Sequence, residues 1–216
     1  MKPIAITIAS GKGGTGKSLL TVSLAVCAKE AGYRVAMMDL EPQSSVHLWW
    51  KLRGKPDNPQ AIDAATVSPV EEAAILRREF DCLLIDTSPL GIDRIEEAVI
   101  AGDATIIPVR ASVFDAAAVR AVVDICKKHR RPFAFVVMDY DAGWRRLNET
   151  MASLLSKMGT LLPARTSHRQ AYPAALNQGK SAGEHPDSRQ RREATPERMA
   201  IWEAARALAE SSNGRR

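Results

Sequence analysis

Residues 4–18 read Ile4-Ala5-Ile6-Thr7-Ile8-Ala9-Ser10-Gly11-Lys12-Gly13-Gly14-Thr15-Gly16-Lys17-Ser18. The opening run is short and almost continuously apolar, as expected of a strand buried on both faces. From Gly11 the segment fits G-x-x-x-x-G-K-[ST] without a mismatch, and a helix-period stretch at 18–31 follows and closes at Gly32. Strand, glycine-rich turn and helix in this order are the setting in which that pattern cradles phosphate. Glycines let backbone N–H groups turn inward and approach phosphate oxygens that a Cβ would obstruct. The helix start adds its positive dipole end. The reading assigns nucleotide contact to Gly11, Lys12, Gly13, Gly14, Thr15, Gly16, Lys17, Ser18 and Leu19. Within it, Lys17 meets the β and γ phosphates and the Ser18 hydroxyl meets Mg²⁺.

Outward from this loop, apolar runs at 35–38, 82–85, 105–109 and 133–138 read as further strands, with helix-period segments between them. Ser68-Pro69-Val70-Glu71 has the form of a capping box with proline at the first helical position. Residues 114–129 end in Lys127, Lys128 and His129, which suits a helix C-terminus. Strand–helix alternation predicts an α/β fold: a mostly parallel twisted sheet with helices on both faces, a three-layer sandwich. The expected organisation is one domain over 1–216. Residues 179–196 are polar and hold two prolines, so they read as a loop. A last helix is expected at 196–210, capped by Thr195 with Pro196 at its first position, and residues 211–216 are expected to fray. Met199, Trp202, Ala205 and Ala209 form a stripe along it that could dock on the body.

Of 216 residues, 45% are apolar and 25% charged, an ordinary globular balance that excludes a wholly disordered chain. No stretch approaches the ~18 apolar residues of a membrane span, and the first strand is too short for a signal peptide. Cys27, Cys82 and Cys126 are odd in number and lack metal-ligand spacing, which fits a reduced cytoplasmic chain with buried thiols. The net charge of +5 permits an anionic partner.

Two strand ends carry acids. Asp39-Leu40-Glu41-Pro42-Gln43 follows the second strand, and carboxylates at i and i+2 there can both face the crevice where ligands of parallel sheets sit. Asp81-Cys82-Leu83-Leu84-Ile85-Asp86-Thr87-Ser88-Pro89 is an apolar strand ending in Asp86.

Lys12, a second lysine inside the loop, makes the segment 12–18 resemble the deviant Walker A motif of the ParA/MinD family of P-loop ATPases. In that family the early lysine reaches the nucleotide of a dimer partner, which implies a trans role for Lys12. Asp39 to Gln43 resembles the family's D-x-D-P-Q motif with Glu41 in place of the second Asp. The resemblance implies that Asp39 positions the attacking water and that Glu41 orders the Mg²⁺ shell. It gives catalytic duty to Lys12, Lys17 and Asp39, and Mg²⁺ duty to Ser18, Asp39, Glu41 and Asp86. Asp86 matches the Walker B acid, with Ser88 where the family often has proline. Residues 106–115 resemble the segment flanking the base and the dimer seam. Residues 165–172 resemble the C-terminal basic segment. The compact length is similar to the small, ParF-like plasmid-partition ATPases.

The resemblance implies ATP/ADP and Mg²⁺ as cofactors, a homodimer in the ATP state, and a ParB-like partner that stimulates hydrolysis. It also implies non-specific DNA binding, no membrane association and a cytoplasmic, nucleoid-associated location. Arg165, Arg169, Arg189, Arg191 and Arg192 are the favoured DNA cations, because they cluster around the polar loop and the basic segment before it. A helix-turn-helix or zinc-finger pattern is absent, so base-specific readout is not expected. Two alternatives stay open: a relative positioning another cargo, such as a chemotaxis cluster or organelle, and a metallo-carrier, which lacks a C-x-x-C here.

Overall fold

The computed structural model describes residues 2–42, 44–88 and 91–213, with the side chains of Val113 and Asn213 excepted. In chain order the elements are β1 (Ile4–Ile8), α1 (Lys17–Glu30), β2 (Val35–Asp39), α2 (Ser45–Leu52), β3 (Gln60–Asp63), α3 (Pro69–Leu76) and β4 (Cys82–Asp86). They continue with α4 (Ile92–Ala101), β5 (Ala104–Val109), α5 (Ala116–Lys128), β6 (Phe133–Tyr140), α6 (Arg145–Met158), β7 (Thr160–Ser167), α7 (Ala171–Leu176) and α8 (Ser188–Asn213). The strands form one seven-stranded sheet in the order β3-β2-β4-β1-β5-β6-β7. Every pairing is parallel.

The two-residue period of the strands builds both cores. Ile4, Ile6 and Ile8 of β1, Val35 and Met37 of β2, and Cys82 and Leu84 of β4 face α1, α2 and α8. Ala5, Ala36, Met38, Leu83 and Ile85 face α3 and α4 instead. On the right half, Ile107, Val109, Phe135 and Val137 pack against α5 and the inward face of α6, Met151 and Leu155. The expected helix start at Pro69 is present, with the Ser68 hydroxyl accepting from the Glu71 amide. Asp115 caps α5 by accepting from the amides of Ala117 and Ala118. Cys27, Cys82 and Cys126 are all free thiols in the interior.

The C-terminal stretch departs from expectation. Residues 179–187 are the expected loop, with a short turn at Ala182–Glu184, but 188–196 are helical: α8 begins at Ser188 and carries Pro196 inside it. Asp187, not Thr195, starts this helix, its carboxylate accepting from the amides of Arg189 and Gln190. Thr195 instead donates its hydroxyl to the Arg191 carbonyl one turn back. Interior proline costs about 3 kcal/mol of helix stability. Burial of Ala194, Ile201, Trp202, Ala205 and Ala209 beneath the helix outweighs it. Arg198 reaches into the interior from the same helix and donates to the Glu30 carboxylate at 2.7 and 3.0 Å. The stripe expected to dock does so, with Trp202 edge-on to Tyr33. The helix also continues through 211–213, while 214–216 lie outside the described residues. Gln43 and Pro89 likewise lie outside them.

Candidate functional site

The site forms where β1, β2 and β4 end and the chain switches from the left half of the sheet to the right. Gly14 and Gly16 adopt left-handed backbone, φ 74° and 94°, which an L side chain rarely tolerates. Gly16 sits at the cap of α1, so the loop runs straight into the helix N-terminus. A Cβ on Gly11 would meet the Ala118 carbonyl at 3.0 Å, which holds the loop close against α5.

Lys17 is buried, and its ammonium donates to the Lys12 carbonyl at 3.4 Å. Burial pulls its pKa below the ordinary lysine value, against the opposing pull of Asp86 and Glu41. Among the described residues no carboxylate lies within ion-pair distance of it. A desolvated cation without a paired anion fits a phosphate group at this place. The Thr15 hydroxyl oxygen in the same loop is buried with no hydrogen-bond partner, a second sign that a polar ligand completes the loop.

Asp39 and Asp86 end adjacent strands and are direct register partners. Asp86 accepts from the Ser18 hydroxyl at 2.7 Å and from the Thr21 hydroxyl at 3.0 Å. Burial pushes its carboxyl up to about 7, with the two hydroxyls lowering it and Asp39 raising it further. Among the described residues no group of three His, Cys, Asp or Glu side chains could hold a metal ion. The pair Ser18–Asp86 suits Mg²⁺ nonetheless, since that ion keeps several waters and takes one or two protein groups plus substrate phosphates. Asp39 is fully buried and caps α2: it accepts from the amides of Glu41, Val46 and His47, each at 3.1 Å. Burial raises its carboxyl above the usual range despite those amides. Glu41 stands two residues on and accepts from the Ser45 hydroxyl at 3.4 Å. Lys12 projects away from the loop towards Asp115, 4.0 Å off, and stays half-exposed.

Sequence reasoning missed several neighbours. A cavity of about 270 Å³ opens beside Gly16, with Met138, Asp139, His168 and Tyr172 in its wall. Arg110, at the end of β5, donates to the Gly14 carbonyl at 3.1 Å and pairs with Asp139. Asp139 also meets the His168 ring at 2.8 Å and adopts left-handed backbone, φ 58°. The signal available was an acid near the end of β6, the same cue as at Asp39 and Asp86. Thr21 carried no cue, because a threonine inside a helix pattern announces no partner 65 positions away.

Thr21 gives a direct test. Thr21→Val keeps the shape but leaves one oxygen of Asp86 bare. One hydrogen bond to a charged group is worth about 1.5–3 kcal/mol, so the Mg²⁺-dependent gain in ADP affinity is expected to fall at least about tenfold. Thr21→Ser is expected to restore it. Calorimetric titration of ADP with and without Mg²⁺ measures both, and an unchanged Mg²⁺ dependence in Thr21→Val refutes the positioning role.

The proposed DNA cations fall in two groups. Arg189, Arg191 and Arg192 are exposed but stand on the first turns of α8, not in a pliable loop. Arg189 pairs with Glu193, and Arg191 donates to the His185 carbonyl at 2.8 Å. Arg169 is turned inward onto Glu193 and Glu197, and Arg165 stacks on the Tyr140 ring at 3.7 Å.

Fold and site together define a phosphate-loop, nucleotide-binding α/β protein. The chain belongs to the CobQ/CobB/MinD/ParA nucleotide-binding domain family, whose profile matches residues 6–173. It is 28% identical over 113 residues to "Protein ParA" of Rhizobium radiobacter, a match covering 51% of this chain and 50% of that one. The chain thus spans about half the length of that curated relative. Its fold matches a Borrelia burgdorferi B31 protein described as a plasmid partition protein and bound to AMPPNP, with TM-score 0.70 and 18% identity. That match covers 94% of this chain and 100% of the other. It also matches the septum site-determining protein MinD of Pyrococcus horikoshii complexed with Mg-ADP, with TM-score 0.71 and 20% identity over 97% and 98% of the two chains. No described helix is long and apolar enough to cross a membrane.

Proposed function

We propose that this chain is a Mg²⁺-dependent ATPase of the ParA type that acts in DNA partition. The observation that carries the ATPase reading is the buried, unpaired Lys17 ammonium at the mouth of a loop whose next residue, Ser18, holds Asp86. Lys17 balances phosphate charge, and Ser18 with Asp86 holds the Mg²⁺ shell. Mg²⁺ supplies charge neutralisation on the phosphates when bound. Asp39 orients the attacking water: a carboxylate has roughly four acceptor sites, and three amides occupy three of them. Glu41 lies on the same crevice and adds negative field. The nucleotide base takes the cavity beside Gly16.

Lys12 is the trans residue. Its half-exposed side chain and long pairing to Asp115 leave it free to reach a second subunit. The ATP-bound form is a homodimer that binds DNA without sequence preference through Arg165 and the α8 arginines, and a ParB-like partner resets it by stimulating hydrolysis. The γ-phosphate supplies the differential contacts that such a switch needs. The described sheet works as one ATPase domain, placed in the cytoplasm on the nucleoid.

Gel-shift binding to unrelated DNA with ATP, ADP and no nucleotide tests the partition reading. Affinity is expected only with ATP, falling steeply with salt. The combined variant Arg189→Ala, Arg191→Ala, Arg192→Ala is expected to weaken binding on all sequences and to flatten the salt slope by about three contacts. Its ATPase activity without DNA is expected to persist. Full DNA affinity in that variant moves the site elsewhere, and equal affinity with ADP and ATP removes the switch.

A further inference from the structure

Helix α6 and the residue before it leave three large apolar side chains partly uncovered. Trp144, Leu147 and Leu154 are 42%, 44% and 39% exposed. Leu147 and Leu154, seven residues apart, share one flank of the helix, and Trp144 stands just before its first turn, while Met151 and Leu155 turn inward to the core. Folding does not require apolar side chains on that flank, because the inward face already anchors the helix. Trp144 and Leu147 border a broad, open groove of about 680 Å³ that Gly143 and Ser112 also line. Ser112 belongs to the turn Ala111–Val113 after β5. That turn leads into Asp115, the residue facing Lys12.

The rim of the groove is basic. Arg145 and Arg146 line it and both are exposed. Arg145 pairs with Glu149, but both side chains are largely in water, so a competing carboxylate displaces that pair at little cost. Exposed Trp with neighbouring Arg is the composition that dominates protein-binding energy. An open, shallow groove that offers Trp144 and Leu147 beside two arginines selects an occupant that brings an apolar anchor and negative charge. A second copy meeting the groove about a two-fold axis would place the same arginines against each other. Duplex DNA presents a convex, uniformly polar surface with nothing to fill an apolar floor.

We propose that the groove between α6 and the turn Ala111–Val113 docks an acidic segment of a partner protein that inserts a large apolar side chain beside Trp144. This inference uses none of the α8 arginines, which lie on the opposite face of the sheet, and does not involve Arg165, which lines a separate cleft beside Asn148 and Ala152 of α6. The occupant lies against the turn that continues to Asp115 and Lys12, so it borders the nucleotide loop.

The test selects binders from a displayed library of random 16-residue peptides on the full chain, then measures the most enriched sequence as a synthetic fluorescein-labelled peptide. Enriched peptides are expected to carry Asp or Glu around a Trp, Phe or Leu. Affinity is expected to fall at least tenfold in Trp144→Ala and in the double variant Arg145→Glu, Arg146→Glu, and to fall with salt. Nucleotide affinity and circular dichroism are expected to be unchanged in both variants, which separates loss of the groove from loss of the fold. Failure to enrich any peptide, enrichment without acidic residues, or affinity indifferent to both variants overturns the proposal. Sedimentation showing a wild-type dimer that Trp144→Ala loses assigns the groove to self-association and overturns it. Loss of duplex-DNA affinity in the same variants, with no peptide effect, assigns it to nucleic acid and overturns it too.

Discussion

Lys17→Ala is expected to lower nucleotide affinity at least about a hundredfold, the equivalent of roughly 3 kcal/mol for one hydrogen bond to a charged group. The ammonium is desolvated, held only by the Lys12 carbonyl at 3.4 Å, and has no ion-paired carboxylate among the described residues. Its burial is therefore a cost to the empty protein that phosphate repays. The same logic fixes the sign of the stability effect. Without nucleotide the variant is expected to melt at the wild-type temperature or slightly above, because an unfavourably buried charge is gone. With nucleotide the wild type gains about 2.7 kcal/mol at a ligand concentration a hundredfold above its Kd, and the variant is expected to gain almost none at that concentration. Calorimetry and thermal melts with and without ADP read both halves. Unchanged affinity and turnover would remove Lys17 from the site.

Asp39→Ala is expected to cut hydrolysis by about 10²–10⁴-fold, the usual worth of a positioned general base. ATP binding is expected to change only a few-fold, because Asp39 touches neither Lys17 nor the loop glycines in the hydrogen-bond network. A second consequence comes from its cap. Three amides, of Glu41, Val46 and His47, lose their acceptor, and α2 is expected to lose about 1–2 kcal/mol of anchoring, as for other cap removals. Asp39→Asn separates the effects, since its carbonyl oxygen still serves part of the cap while its charge is gone. Restored melting temperature with turnover still lost supports a carboxylate acting on water. Retained turnover in Asp39→Ala transfers the role to Glu41 or to no protein base.

The site was legible where backbone conformation and chemistry are both local. Gly14 and Gly16 had to be glycine because their φ angles are left-handed, and Lys17 and Ser18 follow within one turn, so four residues announce the whole loop. The acids at Asp39 and Asp86 were legible because continuous apolar runs end on them, and the parallel register then sets them side by side. Partners distant in sequence were not legible. Thr21, Arg110, Asp139 and His168 reach the site only through contacts that sequence spacing does not encode.

The sequence by itself determined the parallel strands of the centre, the phosphate loop and the two strand-end acids, because buried strands and left-handed glycines leave marks that need no partner. Only the tertiary structure decided the edges and the C-terminus. β3 and β7 are partly exposed edge strands, β7 with Pro163 in it, so neither shows the continuous apolar run of the centre. Residues 188–196 are polar and end in proline, and locally they read as loop. They are helical because α8 is one rigid element held from beyond Pro196 by Arg198 on Glu30 and by Trp202 in the core. Packing energy gathered downstream of the proline outweighs the local preference upstream of it, and the partner that reveals it, Glu30, lies 168 positions from Arg198 in sequence.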